Sequence, residues 1–421
     1  DFQELYRYYK NTSFVRFFQQ GPLVYFVFQV GQSTSDIKAF KWAVEGETLR
    51  YVDARSDAEV RFPAQHAFHW TRATREQHRS GLHPHISIND MVFVECVGGD
   101  LTIKVEDNTE DGSGIYAEPV ENPDQTLDDA EIYYCVIGNL ILLKMRPYKE
   151  KDFRYLVFST KQQRVLRFDA IAQSCVLLPD DQGIIFPGGL VLQTGAHKQF
   201  DHGLNNLLYE RTVASPNGED YLYLFTDLVS GSYLQLRYNV IRQEVDTPLI
   251  SHGQAFFDDG QMVSFRGNEH AQKHHALQLW QTPFVGVDFQ MPVATDSMLY
   301  KIGNRELVRG MAECQELLQL IDKDDSYAEL YLDLVKRSSD ILDSYFWIDR
   351  DETQKLSEPL VKIRDTATAA VEEFDKVVGV RRETEKQLRE TQQSSGEVLN
   401  SIGRFAFNSV EDFVSKLAAI R

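Results

Sequence analysis

The chain is poor in cysteine and lacks the glycine signatures of nucleotide and hydrolase chemistry. Its four cysteines, Cys96, Cys135, Cys175 and Cys314, show no CxxC spacing, and three lie inside apolar strand-like runs. They read as buried free thiols of a reducing compartment. No Gly-Lys dipeptide occurs, so no P-loop can cradle phosphates, and neither GxSxG nor GxGxxG is present. No uninterrupted apolar run approaches the ~20 residues that cross a bilayer. The greasiest stretch, Phe14 to Val30, is broken by Arg16, Gln19, Gln20, Gly21 and Pro22. Basic charge is scarce as well: 44 Lys and Arg face 63 Asp and Glu, a formal net charge of -19. Such a field repels phosphate backbones. There is no secretory signal, and the opening at Asp1 without Met reads as the start of a fragment.

What is present is an ordinary globular mixture, 43% hydrophobic and 25% charged over 421 residues, enough for two or three domains. The stretch from Gly98 to Glu118 sets the pattern: a glycine turn, a strand with Leu101, Ile103 and Val105 on one face, then a polar loop from Glu106 to Gly114. Similar units recur, with turn glycines Gly99, Gly138, Gly183, Gly218 and Gly260 at a spacing of roughly 40 residues, the length of one four-stranded propeller blade. Short strands of period two run from Val24 to Phe28 through Met262 to Phe265, parted by turns such as Asn217-Gly218 and Asp259-Gly260.

The fold class expected is mainly β with a C-terminal α-helical part. It comprises a lead-in helix over 1–22, a β-propeller-like domain of about six blades over 23–285, a linker over 286–301 and coiled-coil helices over 302–421. A pair of β-sandwiches is the competing arrangement. In the helical part, Leu307, Met311, Cys314, Leu318 and Ile321 mark one apolar seam. Asp322 to Ser326 breaks it. A second helix carries Tyr327, Tyr331, Leu334, Ile341, Tyr345 and Ile348, and a third opens at Ser357-Glu358-Pro359. From Arg381 to Gly396 the seam is lost, as in a solvated helix or a hinge. Phe405 to Ile420 is amphipathic again.

Two constellations are candidates for chemistry. Asp107, Thr109, Asp111 and Glu118 fall at ligand positions of a calcium loop with Gly112 at its turn. Thr is a weak ligand and the flanks read as strands, so a solvated acidic hairpin loop is the competing reading. Trp70, Arg72, Arg75 and Arg79 form the best local basic patch for nucleic acid. The histidines His66, His69, His78, His83 and His85, and the later Glu269, His270, His274 and His275, match no zinc spacing and read as surface or loop histidines.

The strings His78-Arg79-Ser80-Gly81-Leu82-His83-Pro84-His85-Ile86-Ser87-Ile88, Val97-Gly98-Gly99-Asp100-Leu101-Thr102-Ile103-Lys104-Val105-Glu106, Ser215-Pro216-Asn217-Gly218-Glu219-Asp220 and Leu279-Trp280-Gln281-Thr282-Pro283 resemble the non-catalytic region of large bacterial AAA-type ATPases labelled "DNA repair ATPase". The resemblance covers most of the chain. It implies a β-rich module flanked by coiled coil, preceding an AAA motor in the same polypeptide that uses ATP and Mg and is absent here. It also implies a cytoplasmic location, at or near the inner membrane, and protein partners of the phage-shock and flotillin-like types. Self-association through the helices is a further expectation, and nucleic-acid handling is the alternative that the family label carries. No catalytic residue is carried over by the resemblance.

Overall fold

The computed structural model describes residues 2–31, 36–60, 63–227, 230–267, 273–286, 289–290, 292–293, 296–322, 328–404 and 409–420. Asn268, Glu269, His270 and Tyr327, and most of the expected break after Asp322, lie outside these. Two compact units divide between Ala294 and Thr295.

The first unit holds, among the described residues, six antiparallel sheets. A short helix α1 (Gln3–Tyr8) precedes sheet 1: β1 (Ser13–Gln20), β2 (Leu23–Gln29), β3 (Ile37–Glu45) and β4 (Thr48–Asp53). The next strand, β5 (Thr71–Arg72), skips ahead to join sheet 3. Sheet 2 comprises β6 (His78–Arg79), β7 (His85–Ile88), β8 (Val92–Glu95), β9 (Asp100–Lys104) and β10 (Tyr116–Pro119). Sheet 3 adds β11 (Glu131–Ile137), β12 (Leu140–Arg146), β13 (Arg154–Ser159) and β14 (Arg164–Arg167) to β5. Sheet 4 has β15 (Val176–Leu177), β16 (Gly183–Phe186), β17 (Gly189–Leu192) and β18 (His197–Gln199). Sheet 5 has β19 (Leu208–Ala214), β20 (Asp220–Asp227), β21 (Ser232–Asn239), β22 (Glu244–Val245) and β23 (Leu249–Ser251). Sheet 6 has β24 (Gly253–Phe256), β25 (Gln261–Phe265) and β26 (Leu277–Gln281).

Strand alternation builds the core. Ile86, Ile88, Val94, Leu101 and Ile103 of sheet 2 meet Ile132, Ile141, Leu143, Leu156 and Phe158 of sheet 3. The opposite face of sheet 3, through Leu142 and Val157, meets Ile184, Phe186 and Val191 of sheet 4. Gln182 accepts from the Tyr238 hydroxyl at 2.6 Å and donates to the Val240 carbonyl, tying sheet 4 to sheet 5. Leu222 and Leu224 pack with Phe256 and Phe284 between sheets 5 and 6. The connection before β5 is tied to later parts of the unit: Gln65 bonds the Tyr209 backbone of β19, His66 lies 2.8 Å from the Ile171 carbonyl, and Ala67 bonds Cys175.

Three expectations change. The lead-in helix ends at Tyr8, and Ser13–Gln20 is a strand, because Phe14, Val15, Phe17 and Phe18 suit a pleated surface and the Gly21-Pro22 turn returns the chain onto β2. The turn glycines are not one repeating position: Gly138, Gly218 and Gly260 close hairpins between the first two long strands of their sheets, but Gly99 leads from β8 into β9 and Gly183 opens a strand. Within the expected linker, α2 (Met298–Ile302) forms.

The second unit continues with α3 (Asn304–Ile321), α4 (Ala328–Ser344), α5 (Ser357–Arg404) and α6 (Val410–Ile420). Its core joins Leu317, Leu330, Leu334, Ile341, Trp347 and Leu360. The expected seam on α3 is only half used: Leu307 and Cys314 pack inward with Leu317, whereas Met311, Leu318 and Ile321 are exposed. A straight helix drifts about 20° per heptad from a strict seam, and buried Gly310, set against Trp347, lies on the packed side while Met311 does not. α5 runs unbroken through the polar stretch where a hinge was one option. Among the described residues, no helix is long and apolar enough to cross a membrane.

Candidate functional site

Two faces of the β unit gather charge. On sheet 2, alternation sends His85, Ser87, Phe93, Glu95, Thr102 and Lys104 to the face opposite the core. Glu95 and Lys104 form an ion pair at 2.5 Å with both side chains 3% exposed. The polar loop after β9 folds back over them: the Lys104 ammonium donates to the carbonyls of Asp111 at 2.6 Å and Asn108 at 3.4 Å. The His83 imidazole lies 2.9 Å from Glu95, and the His83 backbone N–H donates to the Thr109 carbonyl. His85 lies 2.8 Å from Asp107.

This is where the calcium-loop residues fall. The loop does wrap a cation, and the cation is the chain's own Lys104. Asp107 is taken up by His85 and Arg79, and Asp111 by the hydroxyl and N–H of Ser113, which hold its carboxyl below the usual range. Thr109 packs beside Gly81. Glu118, on β10, pairs with Arg154 at 2.9 Å and Arg167 at 2.8 Å. Among the described residues, no group of three or more acidic, histidine or cysteine side chains is arranged to hold a metal ion. The four expected ligands are not brought together.

The basic patch is also divided. Arg75 pairs with Asp128 at 2.9 Å, and Arg79 reaches Asp90 at 3.3 Å and Asp107 at 3.7 Å. Trp70 is half-buried against His66, Phe68 and Tyr155. Burial there pushes the His66 imidazole down despite its hydrogen bond to Ile171. Arg72 remains exposed on β5, beside Tyr133 of β11.

The second charged group lies on the same face of sheet 3 as Leu142 and Val157, two residues further along the strands. Lys144, on β12, lies 4.4 Å from the Phe153 ring centre, 5.3 Å from Tyr133 and 6.0 Å from Tyr155. Arg146 lies 4.7 Å from Phe153 and pairs with Glu131. Neither lysine was singled out from sequence. The available signal was a lone Lys inside an apolar strand, in Leu101-Thr102-Ile103-Lys104-Val105 and in Leu142-Leu143-Lys144-Met145.

The molecule is thus mostly β sheet with a C-terminal helical part. The chain belongs to the family described as "ATPase involved in DNA repair", whose profile matches residues 1–346. No curated protein sequence matches it. Among solved structures, the extracellular domain of a hybrid two-component system from B. thetaiotaomicron is 9% identical, with 64% of this chain and 33% of that chain covered at a TM-score of 0.21. An uncharacterized protein from Listeria monocytogenes is 9% identical, with 64% and 79% covered and a TM-score of 0.18. Oligogalacturonate lyase in complex with manganese is 9% identical, with 69% and 89% covered and a TM-score of 0.19. Superpositions this loose carry no argument about chemistry, and the chain spans about a third of the first of these proteins.

Proposed function

We propose that this chain is a non-catalytic interaction and assembly module of a large bacterial AAA-type ATPase, acting in envelope-stress or membrane-associated remodelling. Its six sheets serve as blades of a propeller-like recognition scaffold, and its helices couple that scaffold, by coiled-coil contacts, to an ATP- and Mg-dependent motor in the same polypeptide. Phage-shock-type and flotillin-like proteins are the partners that the family resemblance suggests, in the cytoplasm at the inner membrane. The observation that carries this reading is the uncovered apolar stripe of α3, where Met311 is 53% and Leu318 51% exposed. A helix that leaves half an apolar seam open gains by docking another helix. α5 adds to it: its 48 residues extend about 72 Å, and among its described side chains only Leu360, Ile363 and Ala367 join the core.

The test is affinity capture from bacterial lysate with the 421-residue chain as bait, in nuclease-treated and untreated samples, beside a Met311→Lys/Leu318→Lys variant. Recovery of envelope-stress or membrane-scaffold proteins that survives nuclease and falls at least about tenfold in the variant supports the module; a tenfold loss is about 1.4 kcal/mol of binding. Recovery that vanishes with nuclease, or that ignores the two substitutions, overturns it.

A further inference from the structure

Register sets four side chains directly opposite one another across neighbouring strands of sheet 3: Arg72 on β5, Tyr133 on β11, Lys144 on β12 and Tyr155 on β13. Cation and ring alternate along this row. In the next row Arg146 faces Glu131, and Phe153 stands beside Arg146 and Lys144. Tyr155 is buried, Arg72 is exposed, and Tyr133, Lys144, Arg146 and Phe153 are half-buried. Among the described residues Lys144 meets rings and no carboxylate, whereas Glu131 pairs with Arg146 and also feels the charge of Arg72.

A ring attracts a cation through its quadrupole without neutralising it. The ladder therefore sets half-buried rings beside a lysine whose charge no carboxylate neutralises, about 4.8 Å apart from strand to strand, in a protein whose net charge is -19. A plain polyanion would use only the charge. An apolar peptide would use only the rings, and a methylated ammonium would be repelled by Lys144. Base-paired duplex hides its base faces. A single strand presents bases and phosphates together, and stacking on aromatic side chains along a basic track is how such strands are held.

We infer that this ladder binds single-stranded nucleic acid, with bases stacking on Tyr133 and Phe153 and phosphates meeting Arg72, Lys144 and Arg146. The site uses none of the helical residues on which the assembly reading stands, so either can fail alone.

The test is fluorescence anisotropy of a labelled short oligo(dT) with the 421-residue chain, against a duplex of equal length and a heparin fragment. Binding is expected, tighter than for duplex. Three phosphate contacts predict an affinity fall of roughly 20-fold between about 50 and 200 mM salt. Lys144→Gln and the exposed Arg72→Gln each flatten that salt slope. Tyr133→Leu and Phe153→Leu weaken binding about tenfold without changing the slope. An Arg75→Gln/Arg79→Gln variant leaves affinity unchanged. No binding at the lower salt, heparin binding as strong as oligo(dT) with no dependence on the rings, or loss in the Arg75/Arg79 variant each overturns the site. Arg72→Gln keeps the test informative if a ring variant does not fold, since Arg72 is solvent-exposed.

Discussion

Lys104 and Lys144 occupy equivalent settings, one lysine near the end of an apolar strand in each of two adjacent sheets, and their charges are settled in opposite ways. Lys104 is closed over by the loop after β9 and spends its charge on Glu95 and on two loop carbonyls. Lys144 has only rings around it and no loop carbonyl among its described partners. A lysine that its own chain has neutralised holds structure together. One left among rings retains charge for a ligand.

The largest effect expected from this contrast is on stability. Lys104→Met keeps the apolar stem but strands the buried Glu95 carboxylate. Breaking a buried pair from one side costs about 3–5 kcal/mol, read from urea unfolding. Lys144→Met removes contacts worth about 1 kcal/mol. Adding Glu95→Leu to Lys104→Met should recover much of the loss, since removing both charges is close to neutral. Equal losses for the two lysine variants would abolish the distinction between them.

A smaller effect is expected from the roof itself. A Cβ at Gly114 would stand against the Ile103 carbonyl and the Thr102 methyl, inside ordinary contact distance. Backbone cannot step aside as a side-chain end can, so Gly114→Ala should lift the loop. Overpacking of this kind costs about 1–3 kcal/mol, and limited proteolysis should cut the variant within 106–114 faster than the parent. Unchanged stability and unchanged cleavage would mean that the loop does not clamp Lys104.

Much of the β unit was legible because its strands are short, alternating and parted by turn residues. The runs around Leu101, Leu140, Tyr155 and Tyr233 all lie on observed strands. Ser13–Gln20 was misread because a β-bulge between Phe14 and Arg16 disturbs its period, so spacing alone suggested a helix. The acidic loop was read as a calcium loop or a solvated hairpin, and it instead folds over a cation of the chain itself. That the cation is Lys104 depends on which strand residue lies diagonally across from Glu95, and sequence does not give pairing between strands. The Arg72–Tyr133–Lys144–Tyr155 row was hidden for the same reason, since the β5 and β11 partners Arg72 and Tyr133 are far apart in the chain. On α3 the apolar period was plain, but which half of the seam is buried depends on packing against residues distant in sequence, such as Trp347 beside Gly310.

The smallest expected effect lies where the two sheets meet. Glu118 on β10 of sheet 2 reaches Arg154 and Arg167 of sheet 3. Burial alone would raise its carboxyl, but hydrogen bonds from the two arginines win and hold it below the usual carboxylate value of 4.5. The folded state therefore binds this proton less readily than the unfolded chain does. Its stabilisation is present above about pH 4.5 and is lost as pH falls through the lowered folded value. Glu118→Gln should thus cost stability at pH 7, and the gap from the parent should close in acid. About 1 kcal/mol is the scale, because Arg154 keeps Glu150 at 2.6 Å and Arg167 is open to screening solvent. Urea midpoints of both proteins at neutral pH and below pH 4 check it. A gap that stays constant with pH would mean that the carboxyl holds the seam by shape, and the charge that separates the two sheets' faces would then play no part in joining them.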